Sequence, residues 1–265
     1  MSPSLFRVEY VPGVDEMVVL DGPEGRHAGG ALRVTVGETI RVGDGHGVVA
    51  DCVVTTTSPG RVEADVVSRM VIPRSSPQVT VVQALPKSER SELAVELATE
   101  AGADAIVPWQ AARCVSRWTG PKVGKGRAKW ANAARAAAKQ SRRAWEPEIG
   151  ELVGSTALVA LVSSAVRDGA RALVLHEEGA VPFADAVAAG PDESDVLLVV
   201  GPEGGVSDGE LDALTGSGAR TVVLGPQVLR TSTAAAVALG ALGVLTPRWA
   251  RAGTTLDPTA PPPRK

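Results

Sequence analysis

The spacing of apolar positions changes character near residue 72. Before that point, short β-branched runs alternate with turn residues, and this pattern predicts strands at Ala31–Val36, Thr39–Val42, Val48–Thr56 and Arg61–Val67. Several short strands in so small a segment are typical of a compact barrel. The stretch 72–77, which holds two prolines and two serines, has the composition of a linker. We therefore predict a small N-terminal β-barrel over residues 1–72.

Beyond the linker, apolar strand patterns alternate with helical patterns. The strands are predicted at Val79–Leu85, Ala105–Pro108, Ala172–His176, Val196–Val200 and Thr221–Leu224. The helices are a segment capped by Ser88 and ended by Gly102, a basic helix over Gly126–Arg143, a helix opened by the capping box Ser207–Glu210, and an apolar helix over Thr231–Leu245. Such alternation predicts an α/β domain with a mainly parallel sheet over residues 73–252. The proline-rich tail, 253–265, is predicted to be disordered.

Composition narrows the class of protein. Hydrophobic residues make up 44% of the 265 positions, which supplies a core and argues against general disorder. No apolar run approaches the ~20 residues of a membrane span, and the first residues lack the apolar segment of a signal peptide. The two cysteines, Cys52 and Cys114, form no zinc-binding pattern. We expect a soluble cytoplasmic protein without a metal ion.

The net charge of −3 conceals one strongly basic stretch. Between Ala105 and Trp145 there is no acidic residue, and ten of the 27 lysines and arginines fall in this window. One interpretation is a solvated basic helix with an adjoining loop. The other is a docking face for a polyanion such as RNA, which the complete loss of acidic residues favours.

Two loops that follow predicted strands carry unusual residues. The first is Gly201-Pro202-Glu203-Gly204-Gly205, hereafter the GPEGG loop, and the second runs from Leu224 through Arg230 to Thr233. Neither has the spacing of a dinucleotide fingerprint or a P-loop. Glycines and prolines could simply end the strands. Ligands of parallel sheets bind beyond the carboxyl ends of strands, however, so two such loops together favour a small-molecule site.

These motifs resemble the RsmE-type 16S ribosomal RNA uridine-N3 methyltransferases of the SPOUT superfamily. The matches, in chain order, are Arg26-His27 through Gly47, Leu85-Pro86-Lys87 with Arg90, Lys129-Trp130 through Pro147, Leu198–Gly205 with Glu210, and Leu224–Ala234. The chain departs from the family pattern at three positions, Ala101, Lys139 and Ser232. At the position of Ser232 the family has glutamate. The resemblance covers the chain from about Phe6 to Pro247.

The resemblance implies a PUA-like barrel followed by a SPOUT domain with a trefoil knot, acting as a homodimer that binds S-adenosylmethionine. The residues that it assigns to the cofactor are Leu175, His176, Val199, Val200, Gly201, Pro202, Gly204, Gly205, Leu224, Gly225, Val228, Leu229 and Thr233. Its implied substrate is a uridine of 16S ribosomal RNA, in the assembled small subunit.

Methylation of uracil N3 requires removal of a weakly acidic proton or stabilisation of the anion that forms. A nearby cation stabilises that anion, so Arg230 is the candidate for this role. Glu203 is the second candidate, as a proton acceptor or as a cofactor ligand. The residues expected to bind RNA phosphates are Lys87, Arg90, Arg113, Lys129, Arg135, Arg142 and Arg143. Two alternatives stay open: a catalytically silent RNA-binding or ribosome-assembly protein, and a SPOUT methyltransferase acting on another RNA.

Overall fold

The computed structural model describes residues 3–87, 90–191 and 194–249, together with the backbone of a short strand at Thr255–Leu256. The chain divides into two compact units. The first unit comprises Met1–Arg74, Ala138–Glu146 and Arg251–Lys265, and the second comprises Ser75–Ala137 and Pro147–Ala250. The sequence-based boundaries placed 138–146 in the second domain. Apart from Thr255–Leu256, the tail predicted to be disordered lies outside the described residues.

The first unit is built on a six-stranded sheet. Its strands are β1 (Leu5–Arg7), β2 (Met17–Leu20), β3 (Thr39–Gly43), β4 (Val48–Ser58), β5 (Arg61–Val71) and β14 (Thr255–Leu256). They pair in the order β1-β3-β4-β5-β14, and β2 also pairs with β5. The β1–β3 pair is parallel, and the other four pairs of these described strands are antiparallel. Alternating positions point inward and bury a core that includes Phe6, Leu20 and Ile40.

Residues 138–146 belong to the first unit because three side chains anchor them there. Glu146 Oε1 lies 2.8 Å from Nε of the largely buried Arg7. Lys139 Nζ lies 2.7 Å from Glu24. The indole Nε1 of Trp145 donates a hydrogen bond of 2.8 Å to the carbonyl of Ile72. These contacts join positions that are far apart in sequence, so local patterns do not reveal them.

The predicted strand at Ala31–Val36 is wrong. A helix, α1 (Gly22–Arg26), runs directly into a π-helical turn, His27–Ala31, and the amide of Leu32 donates to the carbonyl of His27. Gly25 permits this arrangement, because a Cβ at this position would lie 2.2 Å from the carbonyl oxygen of Gly60. The backbone hydrogen bonds of the segment are therefore satisfied locally rather than by a neighbouring strand.

The second unit has an eight-stranded sheet in which every pair is parallel. Its strands are β6 (Val79–Ala84), β7 (Ala105–Gln110), β8 (Glu148–Ile149), β9 (Val153–Gly154), β10 (Arg171–Leu175), β11 (Val181–Pro182), β12 (Val196–Val200) and β13 (Arg220–Val223). They pair in the order β11-β13-β10-β12-β6-β7-β8, with β9 also on β7. The predicted α/β class with a mainly parallel sheet is confirmed. The trefoil knot stays a prediction.

The described residues from 91 onward form six α-helices. They are α2 (Ser91–Glu100), α3 (Pro121–Gln140), α4 (Ser155–Arg167), α5 (Phe183–Ala188), α6 (Asp208–Gly216) and α7 (Thr231–Leu245). The sequence patterns indicated neither α4 nor α5. Ser88, the predicted cap of α2, lies outside the described residues. Gly102, with a φ of +109°, ends α2 as predicted.

Helix α3 is displaced toward the N-terminus relative to the prediction of 126–143. Pro121 starts it, because proline fits the first helical turn, where its missing N–H is not needed. The helix ends at Gln140, and Arg142 adopts a left-handed φ of +59°. Within the described part of the chain, no helix is long and apolar enough to cross a membrane. Residues of that same part form no cluster of three potential metal ligands.

Candidate active site

Three neighbouring strands end at one edge of the second sheet. The register pairs Leu175, the last residue of β10, with Val200 at the end of β12 and with Val222 in β13. The GPEGG loop, the loop from Leu224 to Thr233 and the loop after β10, which holds His176, therefore leave the sheet side by side. This is the edge at which parallel sheets bind their ligands.

The GPEGG loop is tightly folded and fixed from outside. The amide of Gly205, whose φ is +74°, donates to the carbonyl of Pro202 at 2.9 Å. Arg113 Nη1 lies 3.5 Å from the carbonyl oxygen of Gly204 and 3.4 Å from that of Val206. The exposed Glu203 accepts a hydrogen bond of 3.1 Å from the backbone N–H of Lys87 at its Oε1. Two of the residues assigned to RNA thus also hold this loop.

The loop that leads into α7 presents backbone groups and apolar side chains. Within the part of the chain that the structure describes, no backbone N–H of residues 225–230 donates to another backbone group. Leu224 and Leu229 are half-buried, whereas Val228 is 76% exposed. Arg230 is exposed and precedes the first turn of α7, where its carbonyl accepts hydrogen bonds from the amides of Thr233 and Ala234.

The loop after β10 is anchored on β13. The amide of His176 donates to the carbonyl of Val222 at 3.0 Å, and His176 Nδ1 accepts a hydrogen bond from the amide of Glu178 at 3.1 Å. Gly179 approaches β13 so closely that a Cβ would lie 2.3 Å from the carbonyl carbon of Val222. The histidine ring thus orders the turn beside half-buried Leu175.

Glu210 ties the region behind the GPEGG loop together. Its Oε1 accepts hydrogen bonds from the amide of Ala112 at 2.8 Å and from the hydroxyl of Ser155 at 2.5 Å. Its Oε2 accepts from both the amide and the hydroxyl of Ser207, which confirms the predicted capping box. Burial alone would raise the pKa of Glu210, but these hydrogen bonds outweigh burial and lower it. The sequence indicated the capping box but not the contacts with Ala112 and Ser155.

Comparison with known proteins decides the family. A family described as an RNA methyltransferase domain matches residues 73–243, and an RNA methyltransferase PUA domain matches residues 20–67. The chain is 53% identical to a ribosomal RNA small subunit methyltransferase E from Mycobacterium bovis, with 94% of each chain covered. It is 31% identical to the protein of that name from Bacillus subtilis, covering 86% of this chain and 90% of the relative.

The chain belongs to the ribosomal RNA small subunit methyltransferase E family. Among solved structures, a family member from Neisseria gonorrhoeae bound to S-adenosyl methionine is 25% identical, with a TM-score of 0.80 over 92% of this chain and 98% of that one. A Legionella pneumophila methyltransferase in complex with the same cofactor is 27% identical, with a TM-score of 0.76 over 93% and 99%. The family resemblance and the N-terminal PUA-like domain are confirmed.

The three loops fit the cofactor of this family. S-Adenosylmethionine presents a flat purine together with hydroxyl, ammonium and carboxylate groups. The uncommitted backbone groups of 225–230 can pair with polar atoms, and half-buried Leu175, Leu224 and Leu229 offer apolar contact. Among the described residues, the chain neighbours aside, the Gln227 side chain alone comes within 4 Å of where a Cβ of Gly225 would lie, so a ligand can approach this backbone.

The seven residues assigned to RNA fall in different settings. Lys87, Arg90, Arg113, Lys129 and Arg135 lie in the second unit, and Arg142 and Arg143 lie in the first. Lys87 and Arg135 are exposed, and Lys129 Nζ lies 3.6 Å from Glu92 Oε1.

Other cations of the basic stretch form contacts within the protein. Arg127 donates to the carbonyls of Gly150 and Ile149 and pairs with Glu151 at 2.7 Å.

Proposed function

We propose that the protein transfers the methyl group of S-adenosylmethionine to N3 of a uridine in 16S ribosomal RNA. The observation that carries this proposal is the meeting of three loops at one sheet edge, with exposed Arg230 at the start of α7 among them. Membership of the ribosomal RNA small subunit methyltransferase E family supports small-subunit ribosomal RNA as the substrate. The residues assigned to the cofactor in the sequence analysis are loop residues of this edge, together with Leu175 at the end of β10, the last two residues of β12 and Thr233 of α7.

The bound cofactor supplies a methyl group already activated by the sulfonium. The chain's own task is then to hold uracil N3 in line and to make it nucleophilic. Arg230 offsets the negative charge that develops on the uracil as N3 loses its proton, because the guanidinium is permanently charged and cannot itself accept the proton. Its place directly before the buried first turn of α7 fixes the backbone from which its side chain extends.

Glu203 has a structural and a chemical part in this proposal. Its Oε1 is engaged by the amide of Lys87, which holds the GPEGG loop beside the segment that follows β6. Its Oε2 accepts no hydrogen bond from a described residue, so this oxygen can accept the proton that N3 of the uracil loses, or bind the cofactor. The exposure of the carboxylate is consistent with such a contact.

The active form is a homodimer in this proposal. Helix α7 buries one face against the sheet through residues such as Ala235, Ala238 and Leu242. Its outward side is also apolar, with Val237 45% and Val244 78% exposed, one above the other at a spacing of seven residues. Exposed apolar surface on a helix marks an interaction site, and a second copy of the chain is the partner that we propose.

The proposed substrate form is the assembled small subunit, in the cytoplasm. Radiolabelled S-adenosylmethionine is incubated with small subunits from cells lacking the enzyme, and in parallel with naked RNA from those cells. We expect label in 3-methyluridine at one site of the subunit. Label at another base or in another RNA would overturn the proposed reaction. Cofactor binding without transfer to either substrate would overturn it in favour of another RNA target, and a chain that does not bind the cofactor at all would overturn it in favour of a catalytically silent RNA-binding protein.

Light scattering of the purified chain measures whether it is a dimer. The test variant is Val244→Lys, which places a charge on the outward face of α7. We expect a dimer for the natural chain and a monomer for this variant. A natural chain that is monomeric at micromolar concentration would contradict the dimer without affecting the reaction.

A further inference from the structure

A cavity separate from the three loops opens in the second unit. Its volume is about 280 Å³, and it lies where the start of α2, helix α3 and the loop after β7 meet. The residues that give it chemical character are Ser91, Glu92, Ser116, Arg117, Trp118 and Lys129. Pro86 also lines it, and the next residue, Lys87, donates its amide to Glu203 of the GPEGG loop. The cavity therefore adjoins the candidate active site along the chain.

The aromatic wall of this cavity is held rigidly. Trp118 is half-buried and meets Trp130 edge to face, with ring centroids 5.2 Å apart and planes at 75°. Trp130 is 1% exposed, and its Nε1 donates to the hydroxyl of Ser91 at 2.8 Å. The backbone N–H of Trp118 donates to Gln110 Oε1 at 2.8 Å. An indole fixed in this way loses little freedom when a flat ligand packs against it.

Gly126 shows how closely α3 and Trp118 fit. A Cβ at Gly126 would lie 2.5 Å from Cε2 of Trp118, so any other residue there would displace the indole. The same glycine lines the cavity. The position of the aromatic wall thus depends on a backbone contact with α3.

The polar groups of the cavity combine both charges. Arg117 and Lys129 supply cations, and Arg117 Nη2 donates to the carbonyl of Ala112 at 3.2 Å, which orients its guanidinium. Glu92 Oε1 pairs with Lys129, and its Oε2 receives no hydrogen bond from a described residue. A ligand suited to this set has an aromatic ring, an anionic group and a hydrogen-bond donor.

We propose that the cavity binds an unpaired nucleotide that lies near the target uridine in the RNA. Its base packs against Trp118, and its phosphate lies at Arg117 and Lys129. The carboxylate of Glu92 accepts a hydrogen bond from an exocyclic amino group, as carboxylates do with cytosine N4. The occupant is thus a base with an amino group, which uracil lacks. This inference rests on the proposed function and adds a specificity-determining subsite to it.

Methyl transfer to small subunits tests the subsite. For Trp118→Ala we expect KM for the subunits to rise about tenfold, with kcat and cofactor affinity unchanged. Trp118→Phe should restore most of the affinity, since phenylalanine keeps an aromatic face. The matched control is Val115→Ala, because Val115 lies in the same loop, is 70% exposed and does not line the cavity. An unchanged KM in Trp118→Ala would overturn the proposal.

Binding of short oligonucleotides tests the cavity independently of catalysis. Trinucleotides of cytidine and of uridine are titrated while tryptophan fluorescence is followed. We expect the cytidine trinucleotide to quench more strongly, Trp118→Phe to remove most of the quenching, and Glu92→Gln to reduce the preference for cytidine. Equal quenching in the natural chain and in Trp118→Phe would refute the subsite. Failure of the natural chain to methylate subunits would instead refute the proposed function, and the two failures are thereby distinguished.

Discussion

The hydroxyl of Thr231 donates a hydrogen bond of 3.0 Å to the carbonyl oxygen of Gly201. This contact joins the first residue of α7 to the first residue of the GPEGG loop. Gln83, at the end of β6, reinforces it by donating from Nε2 to the carbonyl of Thr231 at 3.4 Å. Two of the three loops are thus tied together directly beside Arg230 by the side chains of Thr231 and Gln83.

Replacing Thr231 by valine should loosen the candidate site. The variant keeps the shape of the side chain but leaves the Gly201 carbonyl without its donor, at a cost of about 1 kcal/mol in the free energy of unfolding. We expect weaker cofactor binding and slower methyl transfer, measured by urea unfolding, calorimetric titration and transfer assays. Thr231→Ser retains the hydroxyl and should behave like the natural chain. A valine variant with full activity and full stability would contradict this role.

Arg230→Ala should abolish methyl transfer and leave the fold intact. Removal of a cation that stabilises developing charge typically reduces kcat by a factor of about 100 or more, and exposed Arg230 makes no ion pair with a described residue. The matched control is Arg220→Ala, since Arg220 is also exposed but lies at the opposite end of β13. Circular dichroism and single-turnover assays check both variants. Near-normal turnover of Arg230→Ala would show that the mechanistic assignment is incorrect.

Glu210 should make stability depend on pH in the acid range. Its pKa is lowered in the folded protein, so its contribution is complete above the pKa of the unfolded chain and is lost as the pH falls through the folded value. Glu210→Gln should lower the unfolding free energy by about 2 kcal/mol at pH 7, and this difference should shrink below about pH 4. Urea unfolding across pH measures it. Asp212→Asn, on the exposed side of α6, is the control, and a difference that is constant with pH would rule out the ionised form.

Substitution of Arg248 should lower the free energy of unfolding strongly. Its Nη1 lies 2.7 Å from Asp104 Oδ2, and the two side chains are 4% and 8% exposed. Asp104 also accepts a hydrogen bond of 2.7 Å from the amide of Val79, at the start of β6. Arg248→Met removes the guanidinium that lies beside this buried carboxylate and should cost about 3–5 kcal/mol in unfolding free energy.

The double variant Arg248→Met, Asp104→Asn checks that interpretation. It removes the buried negative charge and keeps an acceptor for Val79, so it should be more stable than Arg248→Met alone. Thermal and urea unfolding measure both proteins. Equal stabilities would show that lost packing and the lost hydrogen bonds to the carbonyls of Pro77 and Gly102, rather than the buried charge, cause the destabilisation.

Much of the second unit could be predicted from sequence because its central strands are buried on both faces. Such strands appear as continuous apolar runs, as at Val196–Val200, and parallel strands bring their carboxyl ends to one edge. The loops of the candidate site could therefore be located from the local pattern and from the family motifs. Helix α5 did not, because it has only six residues and an irregular apolar spacing.

Contacts between distant residues could not be predicted in this way. Charge pattern alone grouped Arg113 with the RNA-binding residues, but only the fold reveals that its guanidinium reaches the carbonyls of the GPEGG loop. Lys139 stands in the same basic stretch and is paired with Glu24 across more than a hundred positions. Sequence locates a cation, whereas only the fold shows whether another part of the chain already neutralises it.

The placement of 138–146 in the first unit has a consequence for how this chain is made. Synthesis proceeds from the N-terminus, so the ribosome releases β1 to β5 well before it releases Glu146. Until then the guanidinium of Arg7, whose burial lowers its pKa, lacks the carboxylate that lies 2.8 Å from it in the finished protein. The first unit therefore lacks these stabilising contacts until α3 has emerged from the ribosome. A fragment cut at residue 74 would lack them permanently.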